Sequence, residues 1–146
     1  VKVSFDFSDL DKYRTHEYLS DVCPSIYIAQ FSVATDDQEE INRLISECKD
    51  FEVPYLLFTR GSKSPVFVDT RENKTYEGFI RKVESPHDTM GAGDAYFAAF
   101  ASNFVLSKRE KSMIEHVIDC FHKGANLAYE TLMIDGSFGH ATPINP

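Results

Sequence analysis

Short apolar runs alternate along this chain with stretches in which apolar residues recur at helical spacing. Val1–Phe7 reads as a buried strand with Asp6 near its carboxyl end. Asp9 to about Leu19 is polar and helical, and Ser25–Phe31 is a second apolar strand. Thr35 and Gln38 have the spacing of a capping box, followed by Ile41, Leu44, Ile45, Cys48 and Phe51 on one helical stripe that stops before Pro54. Tyr55–Thr59 is a third strand, running into Arg60-Gly61. Pro65–Thr70 and Thr75–Ile80 flank Arg71-Glu72-Asn73-Lys74 as a β-hairpin. A small-residue helix from about Gly91 to Phe104 follows. Ser107 and Glu110 have capping-box spacing and would open a long helix with Met113, Ile114, Val117, Ile118, Phe121, Ala125 and Ala128 on its apolar face. From Asp135 onward, Gly136, Gly139, Pro143 and Pro146 punctuate a loop.

Strands alternating with helices predict an α/β fold, a mostly parallel sheet with helices on both faces and one added β-hairpin. In such sheets ligands bind beyond the carboxyl ends of the strands. Thr59-Arg60-Gly61 and Asp88–Asp94 both follow strands or the hairpin, so they are expected to converge on one crevice.

The composition narrows the class. At 146 residues, 42% hydrophobic and 13% aromatic, the chain has enough apolar mass for a real core. A net charge of −8 argues against binding nucleic acid or an anionic membrane through bulk charge. Cys23, Cys48 and Cys120 share no metal-like spacing and read as reduced, mostly buried thiols of a cytoplasmic protein. His16, His87, His116, His122 and His140 are scattered without zinc spacing. No apolar run is long enough to span a membrane, and no signal peptide or internal repeat is visible.

The candidate chemistry lies in Asp88-Thr89-Met90-Gly91-Ala92-Gly93-Asp94. Glycines let the backbone turn tightly and approach a ligand closely. A helix starting there offers unpaired N–H groups and the positive end of its dipole, a combination that binds phosphate. Asp94 stands at that end, where a carboxylate can take a proton from a hydroxyl. The alternative reading is a first-turn aspartate that only stabilises the helix dipole.

This D-T-x-G-A-G-D run followed by an apolar helix resembles the second signature of the ribokinase-like (PfkB) carbohydrate kinases. The resemblance extends over most of the chain and leans toward the fructosamine branch, with a fructoselysine 6-kinase-like pattern. It implies a three-layer α/β/α ribokinase-like fold and ATP-dependent phosphorylation of a sugar or sugar-derivative hydroxyl, with magnesium. It implies Asp94 as the general base and Gly91, Ala92 and Gly93 as the anion hole. Thr59 and Gly61 match the family's T-x-G segment along the nucleotide phosphates, with Ser64 where relatives carry a second glycine. Asn126 falls on a helix that borders the adenine pocket in relatives, and Asp88 falls where many relatives help hold potassium, with carbonyls that here would come from Asp135–His140. For Asp88 the alternative is an aspartate capping a turn, and for Asn126 a plain helix-surface amide.

One departure is plain. Many relatives have an N-x-x-E motif after the second strand whose glutamate orients magnesium; here Tyr27-Ile28-Ala29-Gln30-Phe31-Ser32 has no acid. Ribokinase-like kinases are also about twice this length, so the sequence reads as the C-terminal half (residues 1–146) of a longer kinase domain, the half with the nucleotide site and the base. Dimerisation through the lid of the other half is implied for the full-length protein. A non-catalytic relative that binds nucleotide or sugar, and a kinase for fructose, ribose, ketodeoxygluconate, a nucleoside or another small alcohol, remain alternatives.

Overall fold

A computed structural model describes residues 1–34, 36–107 and 111–134. The chain divides into two compact units, Val1–Phe79 and Ile80–Pro146.

The first unit is built on a five-stranded sheet in the order β1-β2-β3-β4-β5. The strands are β1 (Ser4–Asp6), β2 (Ile28–Ser32), β3 (Tyr55–Arg60), β4 (Lys63–Asp69) and β5 (Lys74–Glu77). β1, β2 and β3 pair in parallel; β3–β4 and β4–β5 are antiparallel. The sheet is therefore mixed in equal parts, because a second hairpin adds an antiparallel pairing to the expected one. That hairpin turns through Gly61-Ser62, with Arg60 opposite Lys63. Gly61 has φ +58, the left-handed backbone that a two-residue hairpin with glycine first requires. Regular pairing from Phe58 opposite Val66 would set Arg60 against Ser64. Its actual partner, Lys63, marks a one-residue slip, and Pro65, which cannot donate to the ladder, sits beside it. The predicted hairpin turn lies between Asp69 and Lys74. There the Asp69 carboxylate accepts from the Arg71 and Glu72 N–H groups at 3.0 and 3.1 Å.

Two crossovers link the parallel strands, through α1 (His16–Val22) and α2 (Gln38–Asp50). One face of the sheet carries Ala29, Phe31, Leu56, Phe58 and Val68, which cluster with Phe7, Leu19, Ile41, Leu44, Cys48 and Val53. Ile28, Tyr55, Leu57 and Phe67 alternate to the other face and are also fully buried.

Several boundaries differ from the sequence expectations. β1 is shorter than expected, Ser4–Asp6, with Val1 and Val3 exposed, although the Val3 carbonyl still accepts from the Tyr27 N–H at 2.8 Å. Asp9–Leu19 is a 3-10 turn, Asp11–Tyr13, and then α1, restarted by Thr15, whose hydroxyl accepts from the Tyr18 N–H at 3.2 Å. Thr35 lies outside the described residues; α2 is capped by Asp37, which accepts from the Glu40 N–H at 3.0 Å. All three cysteines are buried, unbridged thiols.

The second unit is a helical hairpin of α3 (Ala92–Leu106) and α4 (Met113–Leu132). Phe100 packs with Phe104 and Phe121 at centroid distances of 6.2 and 5.2 Å. His116 is buried against Phe104, its Nε2 3.0 Å from the Phe104 carbonyl, a packing histidine. Ser107 does not open α4. It ends α3, donating its N–H to the Asn103 carbonyl at 3.1 Å, and Glu110 lies outside the described residues. α4 is opened by Ser112 and Glu115, which form the reciprocal capping box. Among the described residues no helix is long and apolar enough to cross a membrane.

Candidate active site

The loop before α3 is organised by its own aspartate. Asp88 Oδ1 accepts from the Met90 N–H at 2.9 Å, an Asx-turn that folds the chain back before the glycines. Gly91 then takes φ +77 and ψ −1, a left-handed conformation costly for a residue with a Cβ, and is the N-cap of α3. The turn-capping alternative for Asp88 is therefore realised in the geometry. The carbonyls expected to complete a potassium site, Asp135–His140, lie outside the described residues.

Having no side chain, Gly91 caps none of the first-turn donors. The first helical bond runs from the Ala95 N–H to the Gly91 carbonyl at 2.8 Å, and Ala92 reaches the Thr89 carbonyl at 3.4 Å. The N–H groups of Gly93 and Asp94 are left open at the positive end of a 15-residue helix. Both residues are exposed. Among the described residues the Asp94 carboxylate has no hydrogen-bond or ion-pair partner. Two open donors with an unengaged carboxylate can hold an anion and accept a proton beside it.

The frame behind this end is closely packed. Tyr96 is buried one turn into α3, and its hydroxyl donates to the Phe121 carbonyl at 3.3 Å. Burial, reinforced by neighbouring Cys120, pushes the Tyr96 phenol well above its ordinary pKa, so it remains a neutral donor. Its ring lies on Gly124 of α4, where an added Cβ would come within 2.6 Å of Cε1. Upstream, the His87 N–H donates to the Leu132 carbonyl at 2.8 Å, tying the approach to the glycine loop to the end of α4.

Asn126 belongs to the same unit. It lines an open groove of about 610 Å³ between α3 and α4, together with Ala99, Ser102, Asn103 and Lys123. Ala99 is six residues along α3 from Gly93, about 9 Å at ~1.5 Å rise per residue. Asn126 Oδ1 accepts from Arg81 at 3.2 Å.

Thr59 and Gly61 belong to the first unit and are already committed to local structure. Thr59 Oγ1 lies 3.1 Å from Ser32 Oγ and accepts from Gln30 Nε2 at 3.4 Å. Gly61 serves the hairpin, and a Cβ there would meet nothing within 4 Å. Ser64, where relatives have glycine, sits in β4 outside the left-handed region, its carbonyl accepting from Arg60 Nε at 2.6 Å, so no glycine is needed. Gln30, where the family acid is absent, is 1% exposed, and among the described residues its Oε1 has no hydrogen-bond partner. Among the described residues no group of three His, Cys, Asp or Glu side chains could hold a metal ion.

Sequence reasoning missed Arg81, Tyr96 and Gly124. A glycine inside a strongly helical stretch was the visible signal for Gly124, since it costs about 1 kcal/mol against alanine unless something needs the space.

A mixed sheet crossed by helices, together with a glycine loop that opens a helix, defines an α/β protein. The chain belongs to the pfkB family of carbohydrate kinases, whose sequence model matches residues 10–131, including every candidate residue from Thr59 to Asn126. It is 27% identical over 143 residues to the fructosamine kinase FrlD of Bacillus subtilis (strain 168), covering 98% of this chain and 46% of that protein. The chain thus spans about half the length of the curated relative it matches. Among solved structures it resembles the ribokinase of Arabidopsis thaliana complexed with ribose and ATP: 25% identity, TM-score 0.71, 94% of this chain and 43% of that one. It also resembles a fructokinase double mutant of Vibrio cholerae O395 with fructose, ADP and potassium bound: 17% identity, TM-score 0.71, 93% and 46% coverage. The ribokinase-like α/β fold expected from the signature is the fold observed.

Proposed function

We propose that Val1–Pro146 is the nucleotide-binding and catalytic-base part of a kinase domain that transfers the γ-phosphoryl group of ATP to a hydroxyl of a sugar derivative. The observation that carries this reading is the open start of α3, with two unmet N–H donors and the unpartnered Asp94 carboxylate side by side. Asp94 takes the proton of the attacking hydroxyl. The hydroxyl oxygen bonds to the γ-phosphorus, the bond from that phosphorus to the β,γ-bridging oxygen breaks, and ADP leaves. The glycine loop Gly91-Ala92-Gly93 serves as the anion hole, its open donors being the N–H groups of Gly93 and Asp94, which stabilise charge on the transferring group, the main contribution a protein makes to such a reaction. Thr59, Gly61 and Asn126 contact the nucleotide. Mg²⁺ would accompany ATP, and Asp88, besides capping its own turn, would take part in holding K⁺, in line with the potassium in the fructokinase complex.

The fructosamine kinase relative points to a fructosamine such as fructoselysine as the acceptor. The sugar is positioned by the part of the kinase domain that this chain does not span, and positioning accounts for about 7–11 kcal/mol of such barriers. A non-catalytic nucleotide-binding relative is the second reading, favoured by Gln30 where many relatives carry an acid nearby.

The test is ADP release by the full-length protein with magnesium, potassium and a panel of fructoselysine, fructose, ribose and ketodeoxygluconate. Turnover should depend on sugar and be fastest with fructoselysine. Asp94→Asn should lower kcat by about 10²-fold or more with little change in ATP affinity, because the amide keeps the shape but cannot accept a proton. Turnover above about a third of wild type would rule out Asp94 as the base. No sugar-dependent turnover with any acceptor, alongside intact ATP binding, would establish the non-catalytic reading.

A further inference from the structure

Arg81 is exposed, lies seven residues before Asp88, and has no role in the chemistry proposed above. It nevertheless makes two specific contacts on one face of α4. Its guanidinium carbon lies 3.8 Å from the centroid of the Tyr129 ring, and its Nη1 donates to Asn126 Oδ1 at 3.2 Å. Asn126 and Tyr129 are three apart on α4 and so are neighbours on its surface. The guanidinium carbon thus sits over the ring while Nη1 reaches the amide. The segment carrying it is tied to α4 farther along by the bond from His87 to Leu132.

This contact settles a choice that an amide cannot make alone. The terminal torsion of asparagine is broad and roughly two-fold, so a free amide presents either oxygen or nitrogen. Arginine has five N–H donors and no acceptor. The atom facing it must therefore be Oδ1, and Nδ2 with its two N–H groups is turned to the opposite side.

We propose that Arg81 is a positioning residue for nucleotide recognition: it locks Asn126 as a hydrogen-bond donor toward an acceptor atom of the nucleotide base. The proposal rests on the reading of Asn126 as nucleotide-binding. It adds the polarity of that contact and the residue that sets it. Because Arg81 is on the segment leading to Asp88 and the glycine loop, the same stretch of chain orients the base contact and delivers the phosphate donors.

The experiment is steady-state kinetics on the full-length protein with four variants, Asn126→Ala, Asn126→Asp, Arg81→Met and Arg81→Lys. Inorganic tripolyphosphate serves as a competitor that has phosphates but no base. Arg81→Met should raise the KM for ATP by about two- to tenfold, the range that one hydrogen bond's net contribution spans. Its kcat should stay within about twofold of wild type and its tripolyphosphate inhibition should be unchanged. Arg81→Lys, still a pure donor, should recover part of the loss. Asn126→Asp keeps and strengthens the contact with Arg81 but cannot donate. It should bind ATP as poorly as Asn126→Ala while melting no lower than wild type, an outcome that a merely structural pair would not give.

If Asn126→Ala leaves the KM for ATP unchanged, the nucleotide reading of Asn126 fails and this proposal with it. If Asn126→Ala weakens ATP but Arg81→Met does not, Arg81 does not position the amide. If Asn126→Asp binds ATP normally, the donor assignment is wrong. If Arg81→Met weakens tripolyphosphate as much as ATP, Arg81 acts as a charge for phosphates and the proposal is overturned.

Discussion

Two glycine turns in this chain carry family-like motifs, and they differ in what they leave unmet. At the β3–β4 hairpin, Gly61 answers the demand of a two-residue turn, and the Thr59 hydroxyl is shared with Ser32 and Gln30. Local structure accounts for both residues. At the start of α3, Gly91 answers a similar demand with φ +77, but beyond it the N–H groups of Gly93 and Asp94 and the Asp94 carboxylate are open. A residue whose conformation the fold requires says little about a ligand. A cluster that the fold positions and does not satisfy says more, because unmet donors at a helix start are what an anion pairs with. The helical unit is thus where function has the stronger physical case.

That contrast can be broken most decisively at Gly93. Gly93→Val places a branched side chain beside the open donors, and phosphoryl transfer should be lost while the circular dichroism spectrum stays near wild type. Normal turnover would mean that the phosphate lies elsewhere. Next in size is Gly124→Ala. On an exposed helix surface this change gains about 1 kcal/mol of propensity. Here the new Cβ would come 2.6 Å from the buried Tyr96 ring, and overpacking of about 1–3 kcal/mol should win. A lower denaturant midpoint is expected, relieved by Tyr96→Leu; a raised midpoint would show that the ring moves aside freely. The smallest effect belongs to Gly61→Asn. Asparagine tolerates the left-handed backbone, and its Cβ meets no atom within 4 Å, so stability should change by less than about 1 kcal/mol. A several-fold rise in the KM for ATP would then keep Gly61 at the nucleotide. An unchanged KM would assign it to the hairpin alone.

Much of this was legible beforehand, for identifiable reasons. The stripe Ile41, Leu44, Cys48 has a helical period, and the helix is there. Asp88–Asp94 combines residue types that rarely meet for any other purpose, and it folds as a loop opening a helix. The errors were local and competitive. Ser107 and Ser112 both begin an S-x-x-E pattern, and only geometry shows that the second caps α4. The hairpin at Gly61-Ser62 was hidden because Pro65 reads as the start of a strand, whereas a slip in register lets β4 begin two residues earlier. Arg81 was invisible because its partners are 45 and 48 residues away in the chain.

The sequence by itself determined the element types, the α/β class and the family, since periodicity and a seven-residue signature are local properties of the chain. It also determined that a carboxylate and glycines would stand at the start of a helix. Only the tertiary structure decided which donors remain open, that Thr59 is engaged by Ser32 and Gln30, that Gly124 exists to admit the Tyr96 ring, and that Arg81 reaches Asn126. Those facts depend on pairs distant in sequence whose meeting is set by strand register and helix packing, and no short-range pattern encodes them.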